Sequence, residues 1–195
     1  YAEHAEAWRR AGYVVREVQE QEVDFFLDSL DVLVVVNPNN PTGLSLSPQR
    51  LLDWHTRLAQ RGGWLVVDEA FMDATPHLSL ADQAHQVGLI VLRSFGKFFG
   101  LAGLRLGFVA AENTLLAGLT AELGPWAISG PAQWAGTLAL QDFDWHENQR
   151  QRLANDARWL ARTLDGFGLA PAANLPLLCW CPTAQAPEWQ DALAR

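Results

Sequence analysis

Three short apolar runs without polar alternation do most to limit what this chain can fold into. They are Asp31 to Val36, Trp64 to Val67 and Leu89 to Leu92. Runs this short, rich in Val, Leu and Ile, suit strands buried on both faces, as in a parallel sheet covered by helices. Each run stops at polar groups. The first meets Asn37-Pro38-Asn39-Asn40-Pro41-Thr42-Gly43, the second Asp68-Glu69, and the third Arg93-Ser94. The proline-rich segment excludes both helix and central strand.

Amphipathic stretches lie between and after the runs. Ser47 is spaced as an N-cap with Pro48 as the first helical residue, and Gly62 as a stop. Leu51, Leu52, His55, Leu58 and Ala59 fall on one face of that helix. Further helices are expected over residues 5–11, 112–123, 131–141 and 145–165. Further strands are expected at Tyr13 to Val18, Leu104 to Ala110 and Leu175 to Trp180. This alternation predicts an α/β fold, a mostly parallel sheet with flanking helices. A domain change is expected near Trp145. Residues 1–144 form part of a large domain; residues 145–195 form a linking helix and the start of a small α+β C-terminal domain.

Composition removes several function classes. The 195 residues are 49% hydrophobic and 18% charged, which argues against a disordered tail or a coiled coil. A net charge of −8 argues against a nucleic-acid partner, which calls for a basic footprint. No apolar stretch approaches the roughly 20 residues of a membrane span. Cys179 and Cys181 are too close in sequence to bridge and lack further zinc ligands nearby, so no metal is expected, and a reducing cytoplasmic setting is. The one methionine is Met72, so the chain is expected to be a segment of a longer protein.

Of 14 basic residues only Lys97 is lysine. Arginine keeps its proton, whereas lysine can release it and become a nucleophile. Lys97 sits among Phe95, Gly96, Phe98 and Phe99, where desolvation would free its amine; a surface lysine on a glycine-rich turn is the plain alternative. Asp68 ends an apolar strand, facing a cleft or serving as a cap or ion-pair partner. Glu69 follows it directly, so the two carboxylates point to opposite faces. Arg105 could reach an anion or form an exposed ion pair. In open α/β sheets ligands bind beyond the carboxyl ends of the strands, and Asn40, Asp68, Ser94 and Lys97 all follow such ends.

Asn40-Pro41-Thr42-Gly43, then Asp68-Glu69-Ala70-Phe71, then Ser94-x-x-Lys97 with Arg105, resembles the fold-type I pyridoxal-phosphate (PLP) enzymes of the class I/II aminotransferase superfamily. The resemblance runs from Tyr1 to about Leu164. It implies a PLP-binding large domain in which Lys97 holds the cofactor as a Schiff base. Asp68 pairs with the pyridine nitrogen and Asn40 with the phenolic oxygen. Ser94 and Arg105 hold the phosphate, and Tyr1 stacks on the ring. Many relatives carry tyrosine three residues after the aspartate; here it is Phe71, without a hydroxyl, which argues against an ordinary aminotransferase of that branch.

Asp68 to Pro76, Ser94 to Phe108 and Gly124 to Pro131 are similar to the threonine-phosphate decarboxylases of cobalamin synthesis. The resemblance implies decarboxylation of L-threonine O-3-phosphate to (R)-1-aminopropan-2-ol O-2-phosphate by a cytoplasmic homodimer. The substrate is a small phosphorylated amino acid, and no membrane partner is implied. A histidinol-phosphate-type aminotransferase and a noncatalytic remnant are the competing expectations. The family's N-terminal phosphate-binding turn is expected before Tyr1 and its substrate-carboxylate arginine beyond Arg195. Trp126 is the tryptophan expected to line the site.

Overall fold

A computed structural model describes residues 2–194. By its internal contacts the chain divides into two compact units. One comprises the residues up to Asn39 together with Ser45–Asp142; the other comprises Asn40–Leu44 and the residues from Phe143 on.

The first unit is built on a four-stranded sheet of order β1-β2-β3-β4. The strands are β1 (Val32–Val36), β2 (Trp64–Asp68), β3 (Leu89–Ser94) and β4 (Gly107–Ala110). β1, β2 and β3 run parallel, with Val36 opposite Asp68 and Asp68 opposite Leu92. β4 returns antiparallel, with Ser94 opposite Gly107. The three unalternated runs are therefore the three parallel strands, and their polar ends gather at one edge of the sheet.

Helices α1 (Ala2–Arg10), α2 (Val23–Phe26), α3 (Pro48–Ala59), α4 (Asn113–Leu123) and α5 (Gly130–Gln141) complete this unit. α3 starts as its sequence predicts. The Ser47 hydroxyl accepts the Arg50 N–H at 3.2 Å, and Pro48 fills a position where no N–H is needed. It buries Leu51, Trp54, His55 and Leu58 against the core cluster of Leu27, Leu33, Leu65, Val67, Leu89 and Val91. Leu51 and Leu58 are wholly buried, each contributing about 2 kcal/mol of apolar transfer. The Asp24 carboxylate of α2 accepts from the Trp54 indole at 3.0 Å and pairs with Arg50 and Arg57 of α3. The Trp54 hydrogen bond and the two guanidiniums hold Asp24 below the usual carboxylate range, against a smaller effect of burial. Glu112 is not part of α4 but its cap, accepting the Thr114 and Leu115 N–H groups at 2.7 and 2.8 Å.

Two expected strands are corrected. Tyr13 to Val18 forms none: Val14 is fully exposed, and no neighbouring strand supplies the ladder that β-branched residues require. Leu175 to Trp180 is not one strand but a turn and half of a hairpin. β5 (Ala173–Leu175) and β6 (Leu178–Trp180) pair antiparallel, with Leu175 opposite Leu178. Pro176 has no N–H to give a ladder, and Leu177 takes a left-handed φ of 74° to close the turn.

The second unit holds this hairpin, the long helix α6 (Phe143–Gly166) and α7 (Ala186–Leu193). Asn174 ties the hairpin to α6 through a 3.1 Å bond from its Nδ2 to the Ala157 carbonyl. Asn40–Leu44 packs here too. Gly43 has φ +67°, and a Cβ at that position would stand 2.8 Å from the Ala173 Cβ. Gly43→Ala is thus expected to lower stability by about 1–3 kcal/mol, from left-handed backbone cost and overpacking. Urea unfolding of the full-length protein, compared with wild type, measures it. Among the described residues no helix is long and apolar enough to cross a membrane.

Candidate active site

The parallel register sets the frame. Asp68 ends the central strand β2, and its backbone is held on both sides. Its carbonyl accepts the Asn37 N–H at 2.9 Å, while the next residue, Glu69, donates its N–H to the Leu92 carbonyl at 2.8 Å. Side chains alternate along a strand. Glu69 and Arg93 meet on one face, with Arg93 Nη1 and Glu69 Oε2 3.2 Å apart. Asp68 and Ser94, one residue before and one after them, therefore share the opposite face. The expectation that the adjacent carboxylates diverge holds: Glu69 is fully buried, and the Asp68 side chain is 14% exposed.

Asp68 is held by two groups. Its Oδ1 accepts the Ala70 N–H at 3.0 Å, and its Oδ2 lies 2.7 Å from His4 Nε2 on α1. Sequence reasoning missed His4. It stands 64 residues from its partner, and only its neighbourhood in space reveals it. The carboxylate keeps lone pairs beyond these two bonds, enough to face a further donor.

Lys97 lies in the loop that leaves β3. Phe95 and Phe98 are both 98% buried, Phe95 stacks on Phe99 with ring centroids 4.2 Å apart, and Gly100 turns the chain with φ +67°. These aromatic neighbours bury themselves and anchor the loop, so Lys97 is exposed rather than desolvated by them. Of the two readings the sequence left open, the structure adopts the exposed lysine: the apolar residues alternate inward while the lysine points out. Its Nζ stands over the Phe71 ring, 5.3 Å from the centroid. Phe71 follows Asp68 by three residues, so the amine reaches the turn that leaves the Asp68 strand.

The loop closes through Phe95 N–H to the Leu106 carbonyl at 3.1 Å and Leu101 N–H to the Phe95 carbonyl at 3.1 Å. It returns Arg105 to within two residues of Gly107, which pairs with Ser94. Arg105 adopts φ 51°, the left-handed region that a non-glycine residue enters at a cost of about 1 kcal/mol or more. Its side chain is exposed. The Ser94 hydroxyl accepts the Gly96 N–H at 3.1 Å.

Asp68, Ser94, Lys97 and Arg105 thus gather at one end of the sheet. Asn40 belongs to the second unit, in the loop whose base Asn37 clamps. Asn37 is fully buried; its Oδ1 accepts the Leu46 N–H at 2.8 Å and its Nδ2 donates to the Leu46 carbonyl at 3.3 Å. Tyr1 lies outside the described residues. Trp126 is 91% exposed.

The profile of the family "Aminotransferase class I and II" matches residues 1–193. The chain belongs to this family. It is 53% identical over 195 residues to a threonine-phosphate decarboxylase of Pseudomonas aeruginosa, covering 100% of this chain and 59% of that protein. The chain therefore spans about three-fifths of that relative. Among solved structures, the L-threonine-O-3-phosphate decarboxylase of Porphyromonas gingivalis shares the fold at a TM-score of 0.69, with 22% identity over 85% of this chain and 52% of that one. The histidinol-phosphate aminotransferase of Sinorhizobium meliloti, solved with pyridoxal-5'-phosphate, matches at a TM-score of 0.66 and 25% identity over 74% of this chain and 40% of its own.

The donor set fits such a cofactor chemically. A carboxylate fixed by His4 and Ala70 suits a protonated ring nitrogen, and an exposed primary amine suits an aldehyde. A hydroxyl at the end of β3 and an exposed guanidinium on the loop that returns to it are groups that suit a phosphate.

Proposed function

We propose that the full-length protein is a PLP-dependent carboxy-lyase that converts L-threonine O-3-phosphate to (R)-1-aminopropan-2-ol O-2-phosphate and carbon dioxide. The observation that carries this reading is the 53% identity to a threonine-phosphate decarboxylase across the whole chain. Bound PLP supplies an electron sink for the pair released when the carboxylate leaves.

The chain's residues divide the remaining work. Lys97 would carry the cofactor on its ε-amine and, once displaced by the substrate amine, return a proton to the carbon that has lost carbon dioxide. Asp68, held by His4, would keep the proton on the ring nitrogen. Ser94 and Arg105 would grip the cofactor phosphate, Arg105 as a two-pronged donor. Asn40 is assigned the phenolic oxygen and Tyr1 the ring face by the family resemblance. Phe71 offers a ring face and no hydroxyl beside the Lys97 amine, which favours this reading over an aminotransferase. The reading includes a cytoplasmic homodimer acting in cobalamin biosynthesis.

Supplying the PLP-loaded full-length protein with threonine phosphate tests it. Carbon dioxide release matching the amine formed, independent of any keto acid, is the expected result. Keto-acid-dependent amine transfer without carbon dioxide would assign the protein to the histidinol-phosphate aminotransferase type. Neither product, with no cofactor fixed to Lys97, would make it a noncatalytic relative.

A further inference from the structure

We propose that Glu69 and Arg93 form a positioning strap on the hidden face of the sheet, which sets the spacing between the Asp68 carboxylate and the Ser94 hydroxyl. The inference rests on the reading of those two residues as partners of the ring nitrogen and the cofactor phosphate. Glu69 and Arg93 are the immediate chain neighbours of Asp68 and Ser94. The register that puts Asp68 opposite Leu92 puts Glu69 opposite Arg93 one step on. The strap therefore spans the two strand ends at the level of the site but from the other side.

Its construction is dense. Glu69 is fully buried. Its Oε1 accepts the Leu80 N–H at 2.7 Å, and its Oε2 accepts the Ser79 hydroxyl at 2.5 Å and Arg93 Nη1 at 3.2 Å. Arg93 Nη1 also donates to Ser79 Oγ at 3.0 Å, and its Nη2 pairs with Asp73. Burial pushes the Glu69 carboxyl up, while the Leu80 N–H, the Ser79 hydroxyl and Arg93 pull it down. A buried ion pair is weak evidence for stability, since an apolar pair of equal volume often does as well. What such a pair does supply is direction: a planar fork meeting a carboxylate fixes both partners laterally. Here the fork also reaches Asp73 and Ser79, so it pins the turn after β2, and Phe71 within it, to β3.

A ligand held at two points senses a change in their spacing, whereas a ligand held at one does not. The test compares full-length wild type with Arg93→Met and Glu69→Gln, each without bound cofactor. It measures the Kd of pyridoxamine and of pyridoxamine 5'-phosphate at a temperature where circular dichroism shows the protein folded. Neither probe bonds covalently to Lys97. Wild type should prefer the phosphorylated form, and that preference should fall about tenfold in Arg93→Met. Glu69→Gln, which keeps the side-chain shape, should move the same way and covers the case in which Arg93→Met does not fold. A purely structural role would lower the melting temperature and leave the ratio unchanged. A folded variant whose ratio equals that of wild type overturns the strap. A wild type without any preference for the phosphorylated form overturns the cofactor reading, and the strap with it.

Discussion

Replacing Lys97 with alanine in the full-length protein is expected to lower carbon dioxide release from threonine phosphate by roughly a thousandfold or more, the scale set by loss of a covalent nucleophile. These 195 residues offer no substitute, because every other basic side chain among them but histidine is arginine, which does not give up its proton. The fold should survive. Lys97 is exposed, and the loop around it is anchored by Phe95 and Phe98, not by the lysine. Borohydride reduction of the PLP-loaded wild type followed by peptide mapping should leave a pyridoxyl group on Lys97, and on no residue of Lys97→Ala. An undiminished rate in a well-folded Lys97→Ala protein would remove the basis of the proposed chemistry.

Asp68 is expected to give the second largest effect. Asp68→Asn keeps nearly the same shape and an oxygen to accept the Ala70 N–H, but removes the negative charge. A preorganised charge in a sheltered site typically contributes about 10²–10³ in rate, so kcat should fall by about that factor. The split between kcat and affinity separates two roles. If the carboxylate acts on ring protonation, kcat falls more than the affinity for PLP. His4→Ala should follow in the same direction with a smaller loss, because it removes a support and not the charge proposed to act on the ring nitrogen. Steady-state kinetics with PLP in excess, alongside cofactor titration, measure both. Equal kcat values in Asp68→Asn and wild type would refute the assignment of Asp68.

Much of this site was legible along the chain because its signals are local. Unalternated Val and Leu runs mark strands covered on both faces, and a polar residue directly after such a run must emerge at the sheet's end. Ser47-Pro48 marked a helix start that the backbone adopts for the expected reason. The parts that stayed hidden depend on residues far apart in sequence. His4 reaches Asp68 from another helix, and nothing in its own neighbours signals a carboxylate. For Lys97 the sequence left two readings open, desolvated by its apolar neighbours or exposed on a glycine-rich turn. Composition counts those neighbours but does not say that they turn inward and leave the amine outside. Tyr13 to Val18 had strand propensity and found no partner, and propensity without a ladder does not make a strand.

By itself the sequence determined the parallel strands, the order in which their polar ends appear and the identities of the groups that gather there, because apolar period and turn chemistry act over a few residues. Tertiary structure alone decided which face each of those groups points to, that His4 holds Asp68, and that a buried Glu69–Arg93 pair lies behind them. These follow from strand register and helix docking, and both are settled by contacts between segments tens of residues apart.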